Sequence, residues 1–356
     1  MIGGGLAGLC AAWRARESGA HVVLFEASGQ LGGQVRTERV AGCVLEHGAE
    51  GFVARSSAVP TLCGQLGLAS EIVAQAESRA LVADGHSLRE LPPGEAARRL
   101  GIQAPTHWGH GLHSLARGMG SLVDALAHAI GMEHIRLSTA VVAVEPDMGG
   151  RWLVHTEDAI VSVDGVVLAL PASTAGSVLQ AIPGRPGRQL EQLASVSSLS
   201  VNMVVADNAV ELPPNTSGMV VDDESAPTGL RACSFASVKF PGRAPAGRCV
   251  LRVFYRPSST PLDENRFLEL TRQYLGRMIG LSGESLVERV VYWPSAIPRY
   301  GEDHEAKVAG VHDSLRHLGR VALAGASVAR SGIDGAVRSG CAAGEAITAR
   351  LQATSR

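Results

Sequence analysis

Met1-Ile2-Gly3-Gly4-Gly5-Leu6-Ala7-Gly8 opens the chain and decides its fold. Gly3, Gly5 and Gly8 spell G-x-G-x-x-G, and Leu9-Cys10-Ala11-Ala12-Trp13-Arg14-Ala15 continues as a helix. His21-Val22-Val23-Leu24-Phe25 then reads as a short buried strand ending at Glu26. The first glycine permits a tight turn, the second lets backbone approach a pyrophosphate, and the third lets helix and strand pack closely. A helix N-terminus offers free N–H groups and a positive dipole end to phosphates. An acid about 20 residues further on suits the ribose hydroxyls. Strand, acid and spacing together predict a dinucleotide-binding α/β unit. Such a motif ordinarily follows a strand, and only Met1 and Ile2 precede it. The expectation is that the strand is lost or that an upstream start restores it.

A chain of 356 residues has room for two domains and a large core. Thirty-two basic residues against 34 acidic ones give a net charge of -2, which provides no basic surplus for nucleic acid. Cys10, Cys43, Cys63, Cys233, Cys249 and Cys341 form no C-x-x-C pair, and no charged secretory n-region precedes the apolar start. Reduced, mostly buried thiols in a cytoplasmic protein are expected. Residues 166–184 are uncharged, but Pro171 and Pro183 interrupt them, so they do not read as a membrane span.

Working outward, Leu31-Gly32-Gly33-Gln34-Val35-Arg36-Thr37 brings a second glycine segment, and Glu46-His47-Gly48-Ala49-Glu50-Gly51-Phe52 a third. Each alone reads as a hairpin turn. After the first motif they suggest further approaches of backbone to one long nucleotide, which a nicotinamide-binding module does not need. The run G-x-G-x-x-G, Glu26, Leu31-Gly32-Gly33, Glu46-x-Gly48 resembles the protoporphyrinogen and coproporphyrinogen III oxidase family of the FAD-dependent amine oxidase superfamily. The resemblance implies an α/β fold: a Rossmann-like FAD-binding domain of the glutathione-reductase type with a second α+β substrate domain.

Later segments extend the resemblance. Arg117-Gly118-Met119-Gly120-Ser121-Leu122-Val123-Asp124-Ala125-Leu126 is similar to the family's helix that returns to the FAD domain. Ile135–Val144 alternates as one strand, and 152–156, 160–163 and 164–171 read as strands. Residues 60–75 read as a helix, and Leu81–Leu88 as a hairpin with Asp84-Gly85 at its tip. Residues 235–245, Val250-Leu251-Arg252-Val253-Phe254, and Trp293-Pro294-Ser295-Ala296-Ile297-Pro298-Arg299-Tyr300 with His304 resemble stretches of porphyrinogen oxidases. Val321-Ala322-Leu323-Ala324-Gly325-Ala326-Ser327 runs from strand to turn, and Gly332-Ile333-Asp334-Gly335 opens a helix through Ile347. A helix start there can stabilise anionic reduced flavin. The family usually carries an aromatic at Val328 and glycine at Arg330, so the local loop shape differs here.

By this resemblance FAD would be held by Gly3, Gly4, Gly5, Leu6, Ala7, Gly8, Glu26, Ala27, Gly33, Gln34, Gly48, Ala49, Glu50, Gly51, Val141, Trp293, Gly325, Ala326, Ser331, Gly332 and Ile333. The FAD-binding domain would comprise 1–78, 114–192 and 286–356, and the substrate domain 79–113 and 193–285. The family's long helical insertion is absent: only the residues between Pro105 and Ser114 span its place. That insertion supplies the membrane-facing surface in some members, so peripheral membrane contact stays open. The oligomeric state is not legible.

The implied reaction moves a hydride from substrate to the flavin, which O2 reoxidises with release of peroxide, repeated until a porphyrinogen becomes the porphyrin of haem biosynthesis. The cofactor carries the hard chemistry. The sequence shows no triad or paired carboxylates, so no catalytic residue is named. Arg243 and Arg252 could take substrate propionates by bidentate pairing, or could be surface ion pairs. His107, His110 and His113 lie among glycines without a carboxylate or cysteine at ligand spacing, so no metal is expected. Three rival readings remain: an amine oxidase or carotenoid-desaturase-like enzyme, a truncated non-catalytic relative, and a nicotinamide-binding module.

Overall fold

The computed structural model describes residues 1–101, 111–182, 184–223, 226–227, 229–256, 263–329 and 332–354. His107, His110, Arg330 and the expected cofactor residue Ser331 lie outside the described residues.

The first layer is a parallel sheet built around the opening residues. Ile2 bridges Phe25 on one side and Leu168 on the other, both in parallel. Four backbone bonds hold it: Ile2 N to Val167 O at 2.9 Å, Gly3 N to Phe25 O at 2.8 Å, Phe25 N to Met1 O at 2.9 Å and Ala169 N to Ile2 O at 2.8 Å. Leu24–Phe25 continues to Ile135–Arg136, and Val166–Leu168 to Val321–Leu323, all parallel. Met1–Gly3 thus does the work of a central strand. Its neighbours are equally short, with two and three residues each.

Two helices pack on this sheet. Leu6–Glu17 is buried on all sides from Leu6 to Trp13, and Gly332–Thr354 lies against it. Glycines set how close they come. A Cβ on Gly340 would sit 2.3 Å from Ala7 O, and one on Gly344 2.4 Å from Ala11 O. The opposite side is covered by an antiparallel sheet of Val141–Pro146, Trp152–Thr156 and Ile160–Val163, whose Val144, Trp152 and Val154 pack on Ile2, Phe25 and Leu168.

The expected single strand over 135–144 is therefore two strands in two sheets. Ser138 has φ 50°, and its N–H goes to Ser28 O at 2.9 Å while Thr139 N–H goes to Glu26 O at 2.8 Å. These bonds to the turn after Leu24–Phe25 break the pattern. The expected helix over 60–75 also shortens to Ala58–Gln65, ended at Gly67, and Ile72–Ala74 forms a strand.

The second layer is a seven-stranded mixed sheet. Its order is Val287–Pro298, Ser195–Ala206, Arg248–Tyr255, Leu230–Phe235, Gly218–Val221, Ala80–Ala83 and Leu88–Glu90. The hairpin at Asp84-Gly85 forms as expected. Val287–Pro298 pairs along Ser195–Val204, so by hydrogen bonding it belongs to this sheet although the sequence partition put it with the first domain. One face is apolar: Leu199, Val201, Met203, Leu251, Val253 and Tyr255 meet Tyr274, Leu275 and Ile279 of the helix Glu264–Ile279. That helix starts at Asp263, whose carboxylate accepts from Arg266 N at 3.1 Å, and stops at Gly280. The other face turns toward Glu46–Gly51. All six cysteines are free, and among the described residues no helix is long and apolar enough to cross a membrane.

Candidate functional site

The opening loop is built from backbone. Gly3 has φ 101°, and a Cβ there would lie 2.5 Å from Ala169 O. A Cβ on Gly8 would lie 1.9 Å from Gly3 O, which fixes glycine where helix meets strand. At Gly5 nothing lies within 4 Å of a Cβ position. Gly5 is also the N-cap of Leu6–Glu17, without a side-chain cap or an acid in the first turn. The first-turn N–H groups of this helix thus receive no side-chain cap, and such groups are what an anion cradle uses. The side chains of Leu6 and Ala7 go into the core. Glu26 stands at the end of its strand, its Oε2 accepting from Gly4 N at 2.7 Å and its Oε1 from Ser28 N at 2.8 Å. Ala27 is exposed beside it. The bonds of Ser138 and Thr139 bring the start of Val141–Pro146 to this same turn. Gly32 N–H reaches Gly4 O at 2.8 Å, and Gly33 lies against Gly5, where a Cβ would meet its Cα at 3.2 Å.

The C-terminal turn faces the same loop. Gly325 N–H donates to Ser339 Oγ at 3.0 Å, and Ala326 O accepts from Tyr300 Oη at 2.8 Å. Gly332 has φ 88°, and among the described residues nothing lies within 4 Å of its Cβ position, while the Ile333 side chain is buried in the core beneath. The observations at Gly5, Glu26 and Gly332 fit a dinucleotide lying from the Glu26 turn past the helix starts.

The third segment, Glu46–Gly51, is built from side chains. Gly48 is packed so tightly that a Cβ would fall 1.6 Å from Gln34 O. Gln34 itself donates through Nε2 to Ala296 O at 2.9 Å. Glu46 is buried and takes Arg243 Nη1 at 3.0 Å, Met119 N at 2.7 Å and Thr37 Oγ1 at 2.7 Å. His47 O accepts from Trp293 Nε1 at 2.8 Å and from Arg252 Nη2 at 3.2 Å. Glu50 is paired with Lys239, lies 4.0 Å from Arg252, and its carbonyl accepts from Ser114 Oγ at 2.6 Å. Burial alone would raise the Glu50 carboxyl, but Lys239 and Arg252 overcome it and hold the group below its ordinary value. Burial pushes the His47 imidazole below its ordinary value despite the hydrogen bond to Glu38 at 2.9 Å.

Neither candidate arginine is a surface ion pair. Arg243 is 2% exposed and Arg252 6% exposed. Arg243 is engaged by Glu46 at 3.0 Å and by Ser114 Oγ at 2.5 Å. The sequence reading missed Lys239 and Ser114, whose partners lie far away in the chain. It also missed Ser200, Asn202 and Ser234 on the sheet above, although the alternation Ser198-Leu199-Ser200-Val201-Asn202-Met203 announces one polar face. His113 packs its ring edge against Phe52 at 5.8 Å, and among the described residues no group of His, Cys, Asp and Glu could hold a metal.

Comparisons with known proteins agree with this geometry. Residues 101–348 match the family model described as flavin containing amine oxidoreductase, and residues 1–66 match an NAD(P)-binding Rossmann-like domain. A Mycobacterium tuberculosis protein named coproporphyrinogen III oxidase is 25% identical, with 99% of this chain and 97% of that protein covered. That alignment runs over 458 positions, so the relative carries segments that this chain of 356 residues lacks. The Bacillus subtilis coproporphyrinogen III oxidase is 20% identical over 96% of each chain. Among solved structures, an Exiguobacterium sp. 255-15 protein provisionally named protoporphyrinogen oxidase superposes with TM-score 0.83 at 21% identity, covering 98% of both chains. Cyclohexylamine oxidase from Brevibacterium oxydans superposes with TM-score 0.76 at 14% identity, covering 99% of this chain and 98% of its own.

Proposed function

The chain belongs to the flavin containing amine oxidoreductase family and is an FAD-dependent oxidoreductase, and from that premise we propose that it oxidises a porphyrinogen to the porphyrin with O2 as acceptor. The same proposal places it in haem biosynthesis, in the cytoplasm. The observation that supports the substrate is the end-to-end similarity to proteins named coproporphyrinogen III oxidase, which covers both layers of the fold rather than the nucleotide loop alone.

When bound, FAD supplies a two-electron acceptor that O2 can recharge. In this reading the amides of Gly4 and Gly5 and the start of Leu6–Glu17 hold the pyrophosphate. Glu26 would accept from the ribose hydroxyls, and Val141 would border the adenine end. Gly33, Gln34, Gly48–Gly51, Trp293, Gly325, Ala326 and Gly332 border the other end. The charged network fixes Glu46–Gly51 before any ligand arrives, so little ordering entropy is lost on binding.

The test is to supply the FAD-loaded protein with coproporphyrinogen III in air and to read porphyrin fluorescence and peroxide together. Both should rise with enzyme concentration and exceed a free-FAD control. Peroxide from cyclohexylamine without porphyrin formation would instead favour an amine oxidase. Neither product from an FAD-loaded protein would favour a non-catalytic relative.

A further inference from the structure

The face of the seven-stranded sheet above Glu46–Gly51 carries buried polar groups without partners. Register sets Ser234, Arg252 and Asn202 side by side on three neighbouring strands, with Ser200 one pleat along. Their exposures are 8%, 6%, 1% and 2%. Among the described residues, Ser234 Oγ, Arg252 Nε, Asn202 Nδ2 and Ser200 Oγ each lack a hydrogen-bond partner. Proteins pair about nine in ten or more of their buried polar groups, so four orphans on one patch need a reason. Arg Nε and Asn Nδ2 can only donate, and the hydroxyls can donate as well. The patch therefore calls for an acceptor.

The local charge says which kind. Lys239, Arg243 and Arg252 stand against Glu46 and Glu50, three cations to two carboxylates. Lys239 is committed to Glu50, and Arg243 to Glu46 at 3.0 Å. Arg252 keeps only the distant edge of Glu50 at 4.0 Å, the His47 carbonyl and the face of Phe254 at 4.7 Å. Burial pulls its guanidinium below the ordinary value, with Glu50 and Glu46 opposing. An incompletely compensated buried cation is costly, and a carboxylate would both neutralise it and take its free N–H.

We propose that Arg252, with Asn202, Ser234 and Ser200, forms a subsite for one carboxylate of the substrate. The subsite rests on the porphyrinogen reading, whose substrates bear propionate carboxylates. It assigns the recognition to Arg252, whose ion pairing is the weaker of the two arginines.

The experiment measures binding of coproporphyrin III and of its methyl ester to the FAD-loaded protein in one detergent buffer, by quenching of porphyrin fluorescence. Wild type should prefer the free acid at least about ten-fold, the worth of a hydrogen-bonded charge. Arg252→Met should abolish that preference. Because Arg252 also holds His47 O, its loss can disturb the segment beneath. Asn202→Ala and Ser234→Ala leave no buried charge behind, and each should cut the preference about three- to ten-fold with the flavin spectrum unchanged. Equal binding of acid and ester by a wild type that turns over porphyrinogen overturns the subsite and leaves the function standing. A preference that survives Asn202→Ala and Ser234→Ala overturns it too, as does a shifted flavin band with the preference intact, which would assign the patch to the cofactor. An FAD-loaded protein that binds neither porphyrin removes function and subsite together.

Discussion

The two glycine-rich segments that meet in the site are made by opposite means. Around Gly3–Gly8 the backbone does most of the work: the glycines remove side chains, a helix start presents N–H groups, and one side chain, the Glu26 carboxylate, closes the loop over 22 residues. Around Glu46–Gly51 charged side chains of Lys239, Arg243 and Arg252 add to the backbone bonds, at separations of 189 to 205 residues. The first is a cradle of backbone with free space at Gly5, and the second is a clamp closed around buried ions. A cradle can be lost without unfolding the protein. Removing one side of a buried ion pair leaves the other charge stranded, so a clamp cannot be opened so cheaply.

The largest effect should come from the clamp. Arg243→Met strands the Glu46 carboxylate, and denaturant unfolding should register a loss of about 3–5 kcal/mol. The double variant Glu46→Leu with Arg243→Met should recover most of that loss. A double variant as unstable as the single one would show that the pair is not the unit that matters.

Next come the packed glycines, one from each region. Gly8→Ala and Gly48→Ala would each drive a Cβ into a backbone oxygen, at 1.9 and 1.6 Å. Overpacking of this kind costs about 1–3 kcal/mol, seen as a lowered denaturant midpoint. If either alanine leaves the midpoint unchanged, the close approach at that glycine is wrong.

Acid titration probes the clamp at two points. His47 has its folded value depressed, so its contribution is complete above the free imidazole value of about 6.5 and is lost as pH falls below it. Glu50 is depressed likewise, so its contribution is complete above about 4.3 and fades at lower pH. Stability should therefore fall in two steps on acidification. Glu50→Gln should flatten the lower step although it lowers stability overall, and His47→Asn should flatten the upper one. A single step unaffected by either variant would dissociate these groups from the clamp.

The smallest structural effect is the sharpest test of the cradle. Gly5→Ala meets no atom within 4 Å, so stability should stay within about 0.5 kcal/mol. Its methyl would nevertheless occupy the space proposed for the pyrophosphate, and FAD affinity should fall at least about ten-fold by equilibrium dialysis.

The contrast also explains what the sequence could reveal. The cradle was legible because its causes are local: glycine spacing, a helix start and an acid one strand away. That Met1–Gly3 takes the central place in the sheet was not legible, because its partners Phe25 and Val167 lie elsewhere in the chain. The break at Ser138 was invisible because it depends on bonds to Ser28 and Glu26, not on the alternation of 135–144. The clamp shows at the sequence level only as scattered charges. Nothing near Glu50 announces Lys239, and nothing near Glu46 announces Arg243. The polar row over the clamp was half legible, since the alternation from Ser198 to Met203 marks a two-faced strand without saying what the polar face meets.

The most direct test is the visible absorbance of the purified protein, repeated on the supernatant after denaturation. Cradle and clamp together should give a flavin band, with FAD released into the supernatant at one per chain. A colourless protein that takes up no added FAD would contradict the account, because the two regions would then be folded as described and yet build no cofactor site.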